Sequence, residues 1–424
     1  MYSVKKFDNG FTLVHAHIPT VRSVGIGIFV KAGSSAECEK NNGIAHFIEH
    51  MLFKGTLKRT AYQLVSDVED IGAVTNASTS KEVTCYYTSS LSEHAERCSE
   101  ILSDIFFNSI FLEEEMAKEK DVVLEEIAML EDTPDDVCIE LACSNFFKDN
   151  SFGREILGTP ETVKAITKED IIHFMSKHYT ADNTVLSIAG EVDFESAVKL
   201  AEKFFVNNFK YEKSSPVTLP QNNPVAKYVK KAKDIEQANV AMVFPSIPYN
   251  DDGEYAMHVM NVVLGSSMSS RLFQSVREQN GYAYSIYSYP GAYTTDGYFI
   301  IYFGTSFDKV SDAITLIRKE LDDIVENGIT DAELNRAKEQ LKSSLVMNAE
   351  SSLSVMRFIG RSYALKGEIS EIDERLEKVM NVTKDDVLNI IRSVFDYKKM
   401  VISYVGRDRE EDFLEVFNCS YCDK

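Results

Sequence analysis

The chain has 424 residues with 45 Lys+Arg against 66 Asp+Glu, a formal charge of −21. A single core stops growing at roughly 250–300 residues, so the length predicts at least two domains. With 44% hydrophobic and 26% charged residues, wholesale disorder and low-complexity architectures are excluded. The acidic balance leaves no basic footprint for nucleic acid and suits a well-solvated cytoplasmic protein.

The opening MYSVKKFDNGFTLVHA has no apolar stretch and no small-residue cleavage site, so no secretory leader is expected; it runs directly into strand-like alternation. No apolar run is long enough for a membrane span. A further strand is predicted at VGIGIFVKAG, Val24 to Gly33.

Next comes NNGIAHFIEHMLFKG, Asn41 to Gly55, predicted as a helix with Asn near its start and Gly after its end. At the helical period Ile44, Phe47, Ile48 and Met51 form one stripe, while His46, Glu49 and His50 share the opposite side. Two histidines four apart stand one turn over each other, so both imidazoles can reach one cation, with Glu49 beside them on the same side of the helix. The pattern is the H-x-x-E-H inverzincin motif. With eight histidines in the chain, chance places one four after another about 0.15 times, and requiring the Glu lowers that below about 0.02. Isolated histidines such as His94, His173, His178 and His258 are read as structural. Two imidazoles plus a carboxylate, with a fourth position open for water, suit zinc.

A strand-then-helix run follows from Val83, and then a helix from Glu113 to Asp132 that stops before Pro134. Glu113, Glu114 and Glu115 form its solvated start. Glu119, Val122, Val123, Glu126 and Leu130 fall on one face, so two carboxylates stand among apolar residues, where a charge must be paired or metal-bound. Either Glu119 or Glu126 could supply the third ligand on this ground.

The segment Thr167 to Gly190, TKEDIIHFMSKHYTADNTVLSIAG, aligns without gaps with Thr383 to Gly406, TKDDVLNIIRSVFDYKKMVISYVG, at a constant offset of 216. Each copy reads as a Thr-capped helix followed by a strand ending in glycine. VGIGIFVKAG is echoed by NVAMVFPSIP, and the run from Val83 by the one from Tyr298. An α+β duplication is therefore predicted, with mixed or antiparallel sheets packed by helices. The expected halves are residues 1–212, carrying the metal motif, and 228–424, joined by a linker at 213–227 within a stretch rich in Asn, Ser and Pro. A cleft between the halves is expected. In the second half, the helix at Asp252 to Ser266 offers only His258, and the one holding Glu339 has Leu345 and Val346 where a ligand would stand, so one site per chain follows. The seven cysteines are scattered and odd in number, as in a reducing cytoplasm; the terminal pair Cys419 and Cys422, alone as a C-x-x-C, is a weak metal or redox signal.

GIAHFIEHMLFKGT together with VVLEEI resembles the pitrilysin-type inverzincin metallopeptidases, the family of mitochondrial processing peptidase, insulin-degrading enzyme and pitrilysin, over nearly the whole chain. The resemblance implies a zinc-dependent endopeptidase with one Zn²⁺ per chain. The family's ligand glutamate follows the second histidine by about 76 residues, which here is Glu126, and a further glutamate seven earlier matches Glu119. It thus implies His46, His50 and Glu126 as ligands, Glu49 as proton-transferring base, and Glu119 as the group that orients and charge-balances the site.

The segment GAVTNASTSKEVTCYY resembles the family's substrate edge strand, implying peptide contacts at Asn76 and Ala77. By composition it is a turn into a strand. SSRLFQSVREQNGYAYSIYSY resembles the family's Arg-to-Tyr pair, implying Arg277 and Tyr284, with Arg271 and Tyr282 as near competitors. Relatives of this size imply a homodimer enclosing a chamber for unfolded peptides, with no nucleic-acid or membrane partner. The alternative is a catalytically silent scaffold or partner subunit of the same fold.

Overall fold

The computed structural model describes residues 2–211, 213–217, 219 and 221–419. The first sheet is built from β1 (Tyr2–Lys6), β2 (Thr12–His17), β3 (Ser23–Val30), β4 (Val74–Thr79), β5 (Thr84–Leu91) and β6 (Thr184–Gly190), in the order β1-β2-β6-β3-β5-β4. The second contains β7 (Lys227–Ala232), β8 (Ala238–Ser246), β9 (Ser285–Ala292), β10 (Gly297–Thr305) and β11 (Val401–Gly406), in the order β7-β11-β8-β10-β9. Each sheet is antiparallel except for one parallel pair, β2 with β6 and β7 with β11. The order β2-β6-β3-β5-β4 thus recurs strand for strand as β7-β11-β8-β10-β9, so the α+β duplication is real. The helices Lys168–His178 and Lys384–Val394 keep the offset of 216 at both ends, and Thr167 and Thr383 cap them through matching boxes with Asp170 and Asp386.

Five helices of the first half matter here: α1 (Ile44–Met51), α2 (Ala61–Glu69), α3 (Ala95–Asn108), α4 (Glu113–Glu131) and α5 (Pro134–Phe146). The chain divides into two compact units. The first contains Met1–Ile127, Arg154–Leu219 and Val346–Ile372; the second contains Ala128–Gly153, Pro220–Leu345 and Asp373–Lys424. These are not the contiguous halves expected around 213–227, because each unit takes a helical segment from the other's stretch of chain.

The first unit needs that segment because its sheet is apolar on both faces. Alternate residues of β3 and β5 point opposite ways: Ile26, Ile28 and Tyr86 join Phe47, Ile48 and Leu102 in one core, while Phe29, Cys85 and Tyr87 face Met356 and Ile359 of the helix Ser352–Lys366 in another. Close approach there depends on glycine. A side chain at Gly27 would strike Met356, and one at Gly360 would strike Phe29. Ser187 Oγ donates to the Met356 carbonyl at 2.7 Å, tying the helix to β6. In the second unit α5 plays the same part, with Cys138 Sγ 3.1 Å from Ser403 Oγ on β11; the remaining core gathers Met242, Phe299, Ile314 and Ile391. Among the described residues no helix is long and apolar enough to cross a membrane. Cys419 is free and exposed at the end of the helix Phe413–Cys419, and Cys422 lies outside the described residues.

Candidate metal centre

The metal-motif helix is shorter than the sequence predicts: α1 spans Ile44–Met51, and its N-cap is Gly43 at φ 92°, with no side-chain cap from Asn41 or Asn42. Its buried stripe is as predicted, with Ile44, Phe47, Ile48 and Met51 all in the core. The helix start is instead held by Glu37, a side chain only 5% exposed. Glu37 accepts from the Asn42 side chain at 2.8 Å, the Gly43 N–H at 2.8 Å and the Ala45 N–H at 2.9 Å. Burial, offset in part by those bonds, pushes its carboxyl up to about 7. A Cβ on Gly43 would run into the Leu157 carbonyl, so only glycine permits both the turn and the contact.

His46 and His50 follow one another along α1 with ring centroids 4.6 Å apart and planes tilted by 57°. Across from them, α4 brings Glu126, whose Oε2 is 3.8 Å from His46 Nε2 and 3.5 Å from His50 Nε2. That oxygen is buried and receives no hydrogen bond. Three ligand atoms of His46, His50 and Glu126 lie within 4.8 Å of one another, the one such His/Cys/Asp/Glu cluster among the described residues. A buried carboxylate oxygen with no donor, facing two imidazole nitrogens, fits a divalent cation, and an N₂O donor set suits zinc. Burial, reinforced by His50, holds His46 down to about 4, in the neutral form that binds metals. Burial also works against the charged form of His50, yet the hydrogen bond with Glu119 and the carboxylates of Glu126 and Glu49 outweigh it and raise that imidazole.

Behind the ligands, Glu119 Oε1 is 2.8 Å from His50 Nδ1, and its Oε2 is 2.6 Å from Lys54 Nζ. Glu119 is 4% exposed; burial alone would raise its carboxyl, but His50 and Lys54 bring it below the ordinary range. This contact fixes the His50 tautomer and leaves Nε2 toward Glu126. Glu49 stays outside the ligand cluster. It accepts from the Thr79 hydroxyl on β4, and burial raises its carboxyl despite that bond.

All five residues predicted around the metal thus converge. Of the apolar face assigned to α4, Val123 is buried but Val122 is 43% exposed, because the helix turns that flank outward. Asn76 and Ala77 lie on β4, an edge strand of alternating half-buried and exposed residues, and the Ala77 N–H donates to Asn76 Oδ1 at 2.8 Å. Arg277 and Tyr284 belong to the second unit. Arg277 sits on a π-helical turn, Phe273–Gln279, with its guanidinium 4.7 Å from the Phe273 ring and 5.5 Å from that of Tyr284. Their competitors differ: Arg271 is consumed by Glu333, Asp323 and the Gly328 carbonyl.

Three further side chains support these residues: Lys54, Thr79 and Glu37. Lys54 could have been found, since it follows His50 by one helical turn; Thr79 and Glu37 carry no pattern of their own in the sequence.

An H-x-x-E-H helix completed by a remote glutamate on a duplicated α+β scaffold is the inverzincin class of site. Residues 12–160 match the model described as Insulinase (Peptidase family M16), and residues 165–341 the one described as Peptidase M16 inactive domain. The uncharacterized zinc protease YmxG of Bacillus subtilis (strain 168) is 39% identical over 401 residues, covering 94% of this chain and 97% of that protein. The mitochondrial-processing peptidase subunit beta of Saccharomyces cerevisiae (strain ATCC 204508 / S288c) is 32% identical, covering 90% and 86%. A protease from Helicobacter pylori shares the fold, with a TM-score of 0.89 at 20% identity over 96% of this chain and 99% of that one. The chain belongs to peptidase family M16, the pitrilysin and insulinase type.

Proposed function

We propose that this chain is a zinc-dependent endopeptidase acting on peptides or unfolded polypeptide segments, with one Zn²⁺ held by His46, His50 and Glu126. The carrying observation is the convergence of those three side chains, with Glu49 on the same helix outside the cluster. The names of the bacterial and yeast relatives support a peptidase role. When bound, zinc supplies Lewis acidity and lowers the pKa of its water toward about 7.

Glu49 then takes the proton of the attacking water and delivers it to the leaving amine. Thr79 aims the carboxylate, and the raised affinity of Glu49 for a proton suits a group that must both accept and return one. Glu119 and Lys54 hold His50 in its liganding tautomer. On this reading the open edge of β4 at Asn76 and Ala77 takes the substrate as an added strand. Arg277 and Tyr284 as substrate contacts, a homodimer enclosing a chamber, and a cytoplasmic location rest on the resemblance and the composition.

The alternative, a silent scaffold, draws on the match to an inactive domain, but that match covers residues 165–341 and excludes α1 and α4. Glu49→Gln should keep one zinc per chain by atomic absorption and lose about 10²–10⁴-fold in peptide turnover. Wild-type turnover in that variant would sink the assignment, and a zinc-loaded wild type that cleaves nothing in a peptide library would establish the scaffold.

A further inference from the structure

We propose that the first unit carries a second binding site, for a small amphipathic anion with an apolar body and one carboxylate. A cavity of about 400 Å³ opens where the end of α3 and residues 108–111 meet the helix Lys168–His178 and residues 210–211. That volume lies in the range that takes small organic ligands, and no residue of the metal centre lines it. Its walls include Phe106, Phe107, Phe111, Ile172, Met175 and Tyr179.

The cavity is built on the rigid part of the unit. Phe106, Phe111 and Tyr179 belong to the core, and the Tyr179 hydroxyl is fixed by that of Tyr86 at 2.8 Å. Ser109 Oγ donates to the Leu52 carbonyl at 3.0 Å, and the Leu57 N–H to the Asn108 carbonyl at 3.0 Å, so the segment under the cavity is stitched to the turn that ends α1. Such a pocket is preformed and costs little to order on binding.

Its charge runs against that of the molecule. The chain has 66 Asp+Glu, yet no acidic residue lines the cavity, whereas Lys168 and Lys210 do. Lys168 Nζ is held at the wall by the Ile110 carbonyl at 2.8 Å, which leaves its remaining donors for a ligand. Aromatic walls and two ammonium groups favour a carboxylate with a medium-length hydrocarbon body over a neutral or cationic one of equal size.

The probe is decanoate, with decanol as its uncharged counterpart, titrated calorimetrically into the full chain. Decanoate should bind saturably at a single site, and decanol at least about tenfold more weakly, as loss of a charge-assisted contact implies. Lys210→Glu, an exposed change that does not touch the core, should weaken decanoate by about the same factor. Met175→Trp, which fills the cavity, should abolish binding. Equal binding of decanol and decanoate, unchanged affinity in Lys210→Glu, or no saturable binding overturns the proposal. So does a cavity that seats a second copy of the chain, recognised by sedimentation if Met175→Trp dissociates a dimer and decanoate binds only the dissociated form.

Discussion

His178 is buried and lies far along the chain from the metal motif; its ring centroid is 4.7 Å from that of Phe174 at a tilt of 50°, and its Nδ1 has no hydrogen-bond partner. Burial, with Lys177 and His173 adding to it, holds its imidazole down to about 4. The unfolded chain therefore takes up a proton that the folded chain refuses, and this contribution to stability, present above about pH 6.5, is lost as pH falls toward about 4. The full shift corresponds to about 3 kcal/mol at most. Urea denaturation should show wild type weakening across that window, and His178→Gln weakening less; equal slopes would remove His178 as the cause. Glu37 is the other single residue on which much depends, because His46 stands one position beyond the Ala45 N–H that it caps. Glu37→Ala should lower stability by about 1–3 kcal/mol, the cost of leaving buried backbone donors without a partner. It should also weaken zinc in a chelator competition. Undiminished zinc affinity in a folded variant would confine Glu37 to a structural part.

At the level of elements, the helix Ser352–Lys366 shows what packing adds to pattern. Its contact with the sheet is closest where Gly360 meets Phe29 and where Gly25 and Gly27 meet Met356. Gly360→Val should overpack that layer and destabilise by about 1–3 kcal/mol, measured by thermal or chemical denaturation, while the metal site on the other face of the sheet keeps its ligands. The elements themselves were legible. The stripe Ile44, Phe47, Ile48 and Met51 is buried as the period predicts, and the offset of 216 reappears at both ends of two helices and at the last residue of two strands. The cluster of His46, His50 and Glu126 was legible only in part, since helix periodicity put both Glu119 and Glu126 on the packed side of α4 and could not rank them. The hydrogen bond that Glu119 accepts from His50, and the unpartnered Oε2 of Glu126, distinguish the two side chains. Glu37 and Thr79 escaped because their partners, backbone N–H groups and a carboxylate 30 residues away, leave no periodic trace.

For the whole molecule, the boundary is where sequence reasoning stopped short. Composition predicts an exposed connection at 213–227, but a sheet apolar on both faces needs two covers, and composition does not say which stretch of chain supplies the second. It comes from the opposite half in both units. Residues 1–219 expressed alone should therefore lack the helix that covers Phe29, Cys85 and Tyr87, and should bind a hydrophobic dye and aggregate. Coexpression with residues 220–424 should restore a soluble complex. A stable, monomeric 1–219 fragment with native-like protection would contradict this.

The same exchange sets an order of events during synthesis. The last segment of the first unit ends at Ile372, 153 residues after Leu219. At about 5–20 residues per second the ribosome takes roughly 10–30 s to deliver it. For that interval one side of the nascent sheet has no partner, which makes the growing chain a natural client for holdases, and ties the completion of the unit holding His46 and His50 to synthesis of Val346–Ile372.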